Sequence, residues 1–324
     1  MISNYILITL VGGIALSFLL ADPPNRIHPV SWLGKLVNYF MPKLKHKSSL
    51  KKERLKGIVF TLTLTFGISV ASYYFSLALY KIFGIFALLI YSLLVLKFTM
   101  AILTLERHVN AVTNALQEKN LIDARKKLSY IVGRKTEPLD REHIISATIE
   151  SIGESVVDGI GSPLFYYSLF GPSGAIAYRI INTLDSMIGY TDKYHYEIGW
   201  MAAKLDTISN YLPARLCGLL LVVSAKIVGA DWKNSILVMR MDHNNTPSRN
   251  GGYPMSALAG ALRVRLEKVG FYVLGANIEP LSIEKCNNAL RMVKLSVILF
   301  LVFISIPMVL LLSLIGWWDT LYGF

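Results

Sequence analysis

The chain has 324 residues, 53% of them hydrophobic, and a mean hydropathy of +0.48. Only 17% are charged, yet the formal net charge is +12. That balance indicates an integral membrane protein, and the scatter of the basic residues over several segments between apolar runs excludes a nucleic-acid-binding surface. Lys- and Arg-rich cytoplasmic loops give a membrane protein this excess, and it favours polyanionic ligands such as nucleotides. Cys217 and Cys286 stand in no paired motif, so neither a disulfide framework nor a Cys-based metal site is implied.

Residues 5–21 are apolar and uncharged and end at Ala21-Asp22-Pro23-Pro24. No basic residue precedes them and no small-x-small cleavage site follows, so they read as a retained, short transmembrane helix stopped by the two prolines. Asp22 to Val30 then forms a rigid Pro-rich loop carrying Asp22, Arg26 and His28. The next stretch, 35–56, bears Lys35, Lys43, Lys45, Lys47, Lys51, Lys52, Arg54 and Lys56 against one acid, Glu53. The positive-inside rule makes this loop cytoplasmic, with anionic lipid headgroups as its plainest ligand. Gly57–Tyr80 and Ile82–Leu105 each exceed the roughly 20 residues that cross a bilayer, and their short link makes them a hairpin. Lys97 lies inside the second arm and receives no role. Residues 106–132 read as amphipathic helix, with Val109, Val112, Leu116, Leu128 and Ile131 on its apolar face.

The polar centre of the chain spans 134–190. Asp140 stands where an N-cap would accept a first-turn N–H, and no proline interrupts Arg141–Ile160. Glu150, Glu154 and Asp158 recur at i, i+4 and i+8, which places three carboxylates on one helix face. Like charges at that spacing repel, and no Lys or Arg lies between them, so the stripe points to bound cations: a metal, or basic side chains brought from elsewhere. Leu164–Phe170 and Ala175–Ile181 are apolar halves separated by Gly171-Pro172-Ser173-Gly174 and too short to cross. They read as a re-entrant or interfacial helix pair; one continuous crossing is the alternative. Residues 182–210 read as amphipathic helix, with Asn182, Asp185 and Ser186 clustered and Asp206 and Asn210 four apart. Leu212–Ala230 is a further apolar segment. Residues 231–292 are polar, and their Gly251-Gly252 reads as a flexible loop, with anion binding the competing view. A last span, Val293–Trp317, ends in an interfacial aromatic group of Trp317, Trp318 and Tyr322.

The expected fold is thus all-α: a polytopic integral membrane protein of about five transmembrane helices plus re-entrant or interfacial helices. It forms a single membrane domain over 1–324, with cytoplasmic segments 22–56, 106–162, 182–211 and 231–292. The phosphate-loop, dinucleotide, zinc-protease and hydrolase-elbow signatures are all missing. What remains is a set of acids and arginines on the cytoplasmic side, the parts that phosphoryl transfer with Mg²⁺ uses. The same parts also fit a transporter or sensor for an anionic metabolite.

Several motifs narrow the choice. They include Asp22-Pro23 with His28-Pro29-Val30, Ile131-Val132-Gly133-Arg134, and Glu150-Ser151 through Glu154 and Asp158-Gly159. Tyr178-Arg179, the run Asn182-Thr183-Leu184-Asp185-Ser186-Met187 with Gly189-Tyr190, and Asp206, Asn210 and Pro213-Ala214-Arg215 belong with them. Together they resemble the adenosylcobinamide-phosphate synthase family, membrane enzymes of cobalamin biosynthesis. Lys135, Ser155, Thr207 and the stretch 246–270 depart from the family pattern. The resemblance implies a ligase in the cell membrane, its active face cytoplasmic, that joins a corrinoid carboxylate to an amino-alcohol phosphate with ATP and Mg²⁺. It implies catalytic roles for Asp185, Asn182, Ser186 and Glu154, and Mg²⁺ binding by Glu150, Glu154 and Asp158. It implies substrate binding by Arg134, Arg179, Arg215, Tyr190, Asp206, Asn210, His28 and Asn250.

Overall fold

The computed structural model describes residues 2–24, 26–45, 49–190 and 192–322, and these are helical almost throughout. Asn25 of the Pro-rich loop and Lys47 of the basic stretch lie outside the described residues. In order come α1 (Ile2–Leu19), α2 (Pro29–Lys45), α3 (Leu50–Thr99), α4 (Ile102–Gln117), α5 (Leu121–Leu128) and α6 (Arg141–Val156). A π-helical turn (Val157–Gly161) leads to α7 (Ser162–Ile188), α8 (Trp200–Ser209), α9 (Tyr211–Val228), α10 (Trp232–Asp242) and α11 (Arg249–Leu262). Two strands, β1 (Leu266–Lys268) and β2 (Tyr272–Leu274), pair antiparallel with Lys268 opposite Tyr272. The chain closes with α12 (Ile283–Phe300), a second π turn (Leu301–Ser305), α13 (Ile306–Leu314) and α14 (Trp317–Tyr322). The all-α expectation holds. Among the described residues, three runs are long and apolar enough to cross a membrane, Leu50–Gln117, Tyr211–Val228 and Ile283–Leu314, with Asn4–Leu19 a shorter apolar helix.

The chain divides into two compact units. Unit 1 takes Met1–Ala101, Ser162–Asn210 and Phe303–Phe324; unit 2 takes Ile102–Gly161 and Tyr211–Val302.

In unit 1, α3 is a folded hairpin. Ser72 and Tyr91 would stand about 28 Å apart along a straight helix at 1.5 Å per residue, yet their hydroxyls hydrogen-bond at 2.7 Å. The turn falls at Gly84, whose φ of 77° and ψ of −170° favour glycine. The same device folds α7. Gly171 has φ 64° and precedes Pro172, and the rings of Tyr166 and Tyr178 stack at 5.5 Å. This is the expected helix pair, and that stacking rules out a straight continuous helix. The stretch 29–45, by contrast, is a helix and not part of a loop. Leu33, Val37 and Met41 recur at i, i+4 and i+8 and pack with Ile180, Leu184 and Ile188. The charge run around them hid this stripe. The expected helix 182–210 is also broken. The chain leaves the helix at Gly189 and re-enters at Trp200, and a Cβ on Gly199 would lie 1.6 Å from the Ile188 carbonyl oxygen. Trp318 and Tyr322 are buried, and Trp317 Nε1 donates to Leu169 O at 2.7 Å, so this group packs within the unit and forms no exposed aromatic belt.

In unit 2, Asp140 caps α6 as expected, its carboxylate accepting from His143 N at 2.9 Å. Val109, Val112, Leu116 and Leu128 are buried, while Lys119 (φ 57°) separates α4 from α5. Gly251 and Gly252 are not in a flexible loop; they sit in the first turn of α11, capped by Ser248. A Cβ on Gly252 would lie 2.0 Å from His243 O, so close backbone packing accounts for that glycine.

Candidate functional site

The residues picked out by sequence fall into two polar groups, one in each unit. In unit 1, α7 and α8 build a carboxylate pair. Asp206 accepts from Asn182 Nδ2 at 3.4 Å and from Asn210 Nδ2 at 3.0 Å. Asn210 Oδ1 in turn accepts from Ser162 Oγ at 2.6 Å and Tyr178 Oη at 2.9 Å. Both ends of the Asn210 amide are therefore engaged, which fixes its orientation and with it the Asp206 carboxylate. Asp185 lies in the last turn of α7, where the helix dipole disfavours a negative charge. Burial, and then the Asp206 charge, push its pKa up to about 7. Burial also raises Asp206, against the two amides that hold its ionised form. A Cβ on Gly189 would lie 1.9 Å from Asp185 Oδ1, so that glycine leaves room for the carboxylate.

Around this pair, Arg179 Nη1 donates to Asn182 Oδ1 at 3.5 Å, and Ser186 Oγ donates to Asn182 O at 2.8 Å. His28 is buried, accepts from Val30 N at 3.2 Å and meets Phe98 edge-on at 5.6 Å. Burial lowers its pKa; the Asp22 charge opposes this, and the Arg179 and Lys97 charges add to it. Lys97, left without a role by the sequence, forms an ion pair with Asp22 in which both side chains are largely buried. Tyr190 stands apart, exposed and edge-on to His195 at 5.5 Å.

In unit 2, Glu150 is the hub. Its carboxylate accepts from Arg134 Nη2 at 3.0 Å, Tyr272 Oη at 2.8 Å and Ser146 Oγ at 2.8 Å. Ser146 Oγ also accepts from Glu267 N at 2.8 Å, which ties α6 to β1. Arg134, Glu150, Glu154, Lys268 and Tyr272 line a small cleft of about 50 Å³. Glu154 keeps an exposed edge but is crowded by protein atoms. Desolvation first and the Glu150 charge second raise its pKa. Burial and the Glu150 charge likewise raise Tyr272, so the phenol stays protonated and donates. Arg215 stacks on Tyr211 and Tyr253, its guanidinium carbon 3.4 and 4.6 Å from the two ring centroids. Asn250 is buried at the start of α11.

At Glu150 the acidic stripe meets a basic side chain, one of the two kinds of cation expected of it. Among the described residues, no group of three or more His, Cys, Asp or Glu side chains is placed to hold a metal. Glu150, expected as a metal ligand, accepts from three protein donors, one of them a basic side chain brought from elsewhere. Asp158 sits in the π turn, beyond the regular helix that carries Glu150 and Glu154. Sequence reasoning missed Tyr272 and Lys268 in the polar segment after α11. It named Tyr178 only within a motif and gave Ser162 no role. Only Gly270, between two short apolar-rich stretches, hinted at a hairpin.

A model of the CobD/Cbib protein family matches residues 10–302. The chain belongs to that family. It is 38% identical to a probable cobalamin biosynthesis protein CobD of Methanothermobacter thermautotrophicus, over 90% of this chain and 94% of the relative. It is 37% identical to a probable cobalamin biosynthesis protein CobD of Methanococcus maripaludis, over 89% and 94%. A cobalamin biosynthesis protein CobD of Leptospira interrogans is 37% identical over 90% and 95%. No solved structure matches the chain. The family match takes in both polar groups, the Asp185–Asp206 pair of unit 1 and the Arg134–Glu150 hub of unit 2.

Proposed function

We propose that this CobD/Cbib protein acts in cobalamin biosynthesis as an amide ligase. It joins the carboxylate of adenosylcobyric acid to an aminopropanol phosphate, or to ethanolamine phosphate, at the expense of ATP. A carboxylate is a poor electrophile, so the γ-phosphoryl group of ATP is first transferred to its oxygen, giving an acyl phosphate and ADP. The amine then attacks the acyl carbon, the bond to the phosphate oxygen breaks, and inorganic phosphate leaves. The attacking nitrogen must shed a proton, which needs a base ionised near neutral pH. The observation that carries the reading is the half-buried Asp185 beside the braced Asp206: burial first and the Asp206 charge second push the Asp185 carboxyl up to about 7, the range a general base requires. Asp206, braced by Asn182 and Asn210, holds that value up.

Other residues take supporting roles. In unit 2, Arg134 is preorganised by Glu150 to meet phosphate, and Arg215 and Asn250 contribute to the same binding. In unit 1, His28 and Tyr190 take substrate groups, Ser186 orients them, and Arg179 steadies the Asn182 amide. Mg²⁺, when bound, draws charge off the phosphates. Such an ion needs only one or two protein carboxylates, and Glu154, which lines the cleft beside Arg134, would hold it. Lys- and Arg-rich segments support an active face on the cytoplasmic side of the cell membrane.

The test is turnover of the purified protein with ATP, Mg²⁺, the corrinoid acid and each amino-alcohol phosphate. ADP and amide should appear one for one, and Asp185→Asn should make no amide while unfolding at a similar temperature. Full activity in that variant removes Asp185 from the chemistry, and ligand flux without ATP use sinks the ligase.

A further inference from the structure

Unit 1 holds a cavity of about 640 Å³ that the ligase reading does not use. Leu33 of α2, Ile68 and Leu94 from the two arms of α3, and Ile176 of α7 wall it with hydrocarbon. The neutral polar side chains along it are already bonded within the protein. Trp32 Nε1 donates to Arg26 O at 2.8 Å, Tyr91 Oη pairs with Ser72, and Thr99 Oγ1 donates to Val95 O at 2.9 Å. Arg179 is the only charged residue in the lining. The rim is open, with Trp32 51% and Leu94 47% exposed, and Ile68 and Leu94 lie on the longest apolar run of the chain. The cavity therefore opens where hydrocarbon is the surrounding solvent.

A corrinoid, whose periphery is rich in amides, would leave those amides unpaired against such a wall, at a heavy desolvation cost. An acyl chain has no such groups. A single guanidinium in the lining, with Lys35 and Lys43 exposed or flanking on α2, selects a negative headgroup. We propose that this cavity binds one anionic phospholipid, with an acyl chain between α2, α3 and α7 and its phosphate at Arg179. The amphipathic α2 then lies at the bilayer surface as a cover over the bound chain.

Native mass spectrometry of the full chain in mild detergent tests this, with phosphatidylglycerol and phosphatidylcholine of identical chains supplied in turn. One phosphatidylglycerol per chain should be retained and the choline lipid should not. Leu94→Trp, which fills the rim, should abolish retention, and Arg179→Gln should weaken it about fivefold, the loss expected for one basic residue. If Leu94→Trp does not fold, quenching by phosphatidylglycerol with brominated chains reads the same site: it should be strong in the wild type and reduced in Trp32→Phe. Equal retention of both lipids, no retained lipid, or displacement of the lipid by the corrinoid acid would overturn the proposal.

Discussion

Asp185 should titrate near neutrality, and this can be measured without any substrate. Raising a carboxyl from 3.8 to about 7 disfavours its ionised form by ~4 kcal/mol if no solvent reaches it. Asp185 is partly exposed, so roughly half of that is the fair expectation for stability. The sign follows from the direction of the shift. The folded-state value lies above the unfolded one, so the contribution to stability is full below about pH 3.8. It falls as pH rises and is gone above about 7. Dicyclohexylcarbodiimide reacts with protonated carboxyls in apolar surroundings, so peptide-level labelling of Asp185 across pH 4–9 reads the protonation directly. Labelling should be high at pH 5 and half-lost near pH 7. Removing the neighbouring charge with Asp206→Asn should lower the midpoint, while burial, the larger cause, keeps it above 3.8. A wild-type midpoint near 4, or a midpoint unmoved in Asp206→Asn, would refute the carboxylate-pair argument and take the general base away from the ligase.

Arg134→Ala leaves Glu150 buried without its cation and should lower stability by about 3 kcal/mol, with Arg134→Met/Glu150→Gln much milder; thermal unfolding in detergent measures both. Lys97→Met should be similarly destabilising, and adding Asp22→Asn should recover most of the loss if the pair is structural, as the burial of both partners indicates. At the two hairpin turns, Gly84→Ala meets open space and should cost about 1–3 kcal/mol of backbone strain. Gly171→Ala adds a collision, because its Cβ would lie 2.2 Å from Tyr322 Oη, and should cost ~1–3 kcal/mol more. Equal unfolding temperatures for these two variants would contradict the packing at Gly171.

The apolar runs, the Asp140 cap, the Gly171-Pro172 break and the Asp206–Asn210 spacing were all legible in the amino-acid order. Each depends on residues within a few positions of one another, and local periodicity and capping are local physics. Local physics also explains the misreadings. The stripe Leu33, Val37 and Met41 has helical spacing but lies in a run of lysines with the composition of a solvated loop, and the glycines of α11 have the composition of a loop although the His243 backbone packs against them. The fate of the buried charges was beyond any local pattern. Glu150 is satisfied by Tyr272, 122 residues away, and Lys97 by Asp22, 75 residues away. A charge taken out of water must find a partner somewhere, and the sequence shows the need for one without showing which residue answers it. Tertiary structure alone decided that the acidic stripe meets an arginine and a tyrosine, and that the carboxyl with a near-neutral pKa is Asp185.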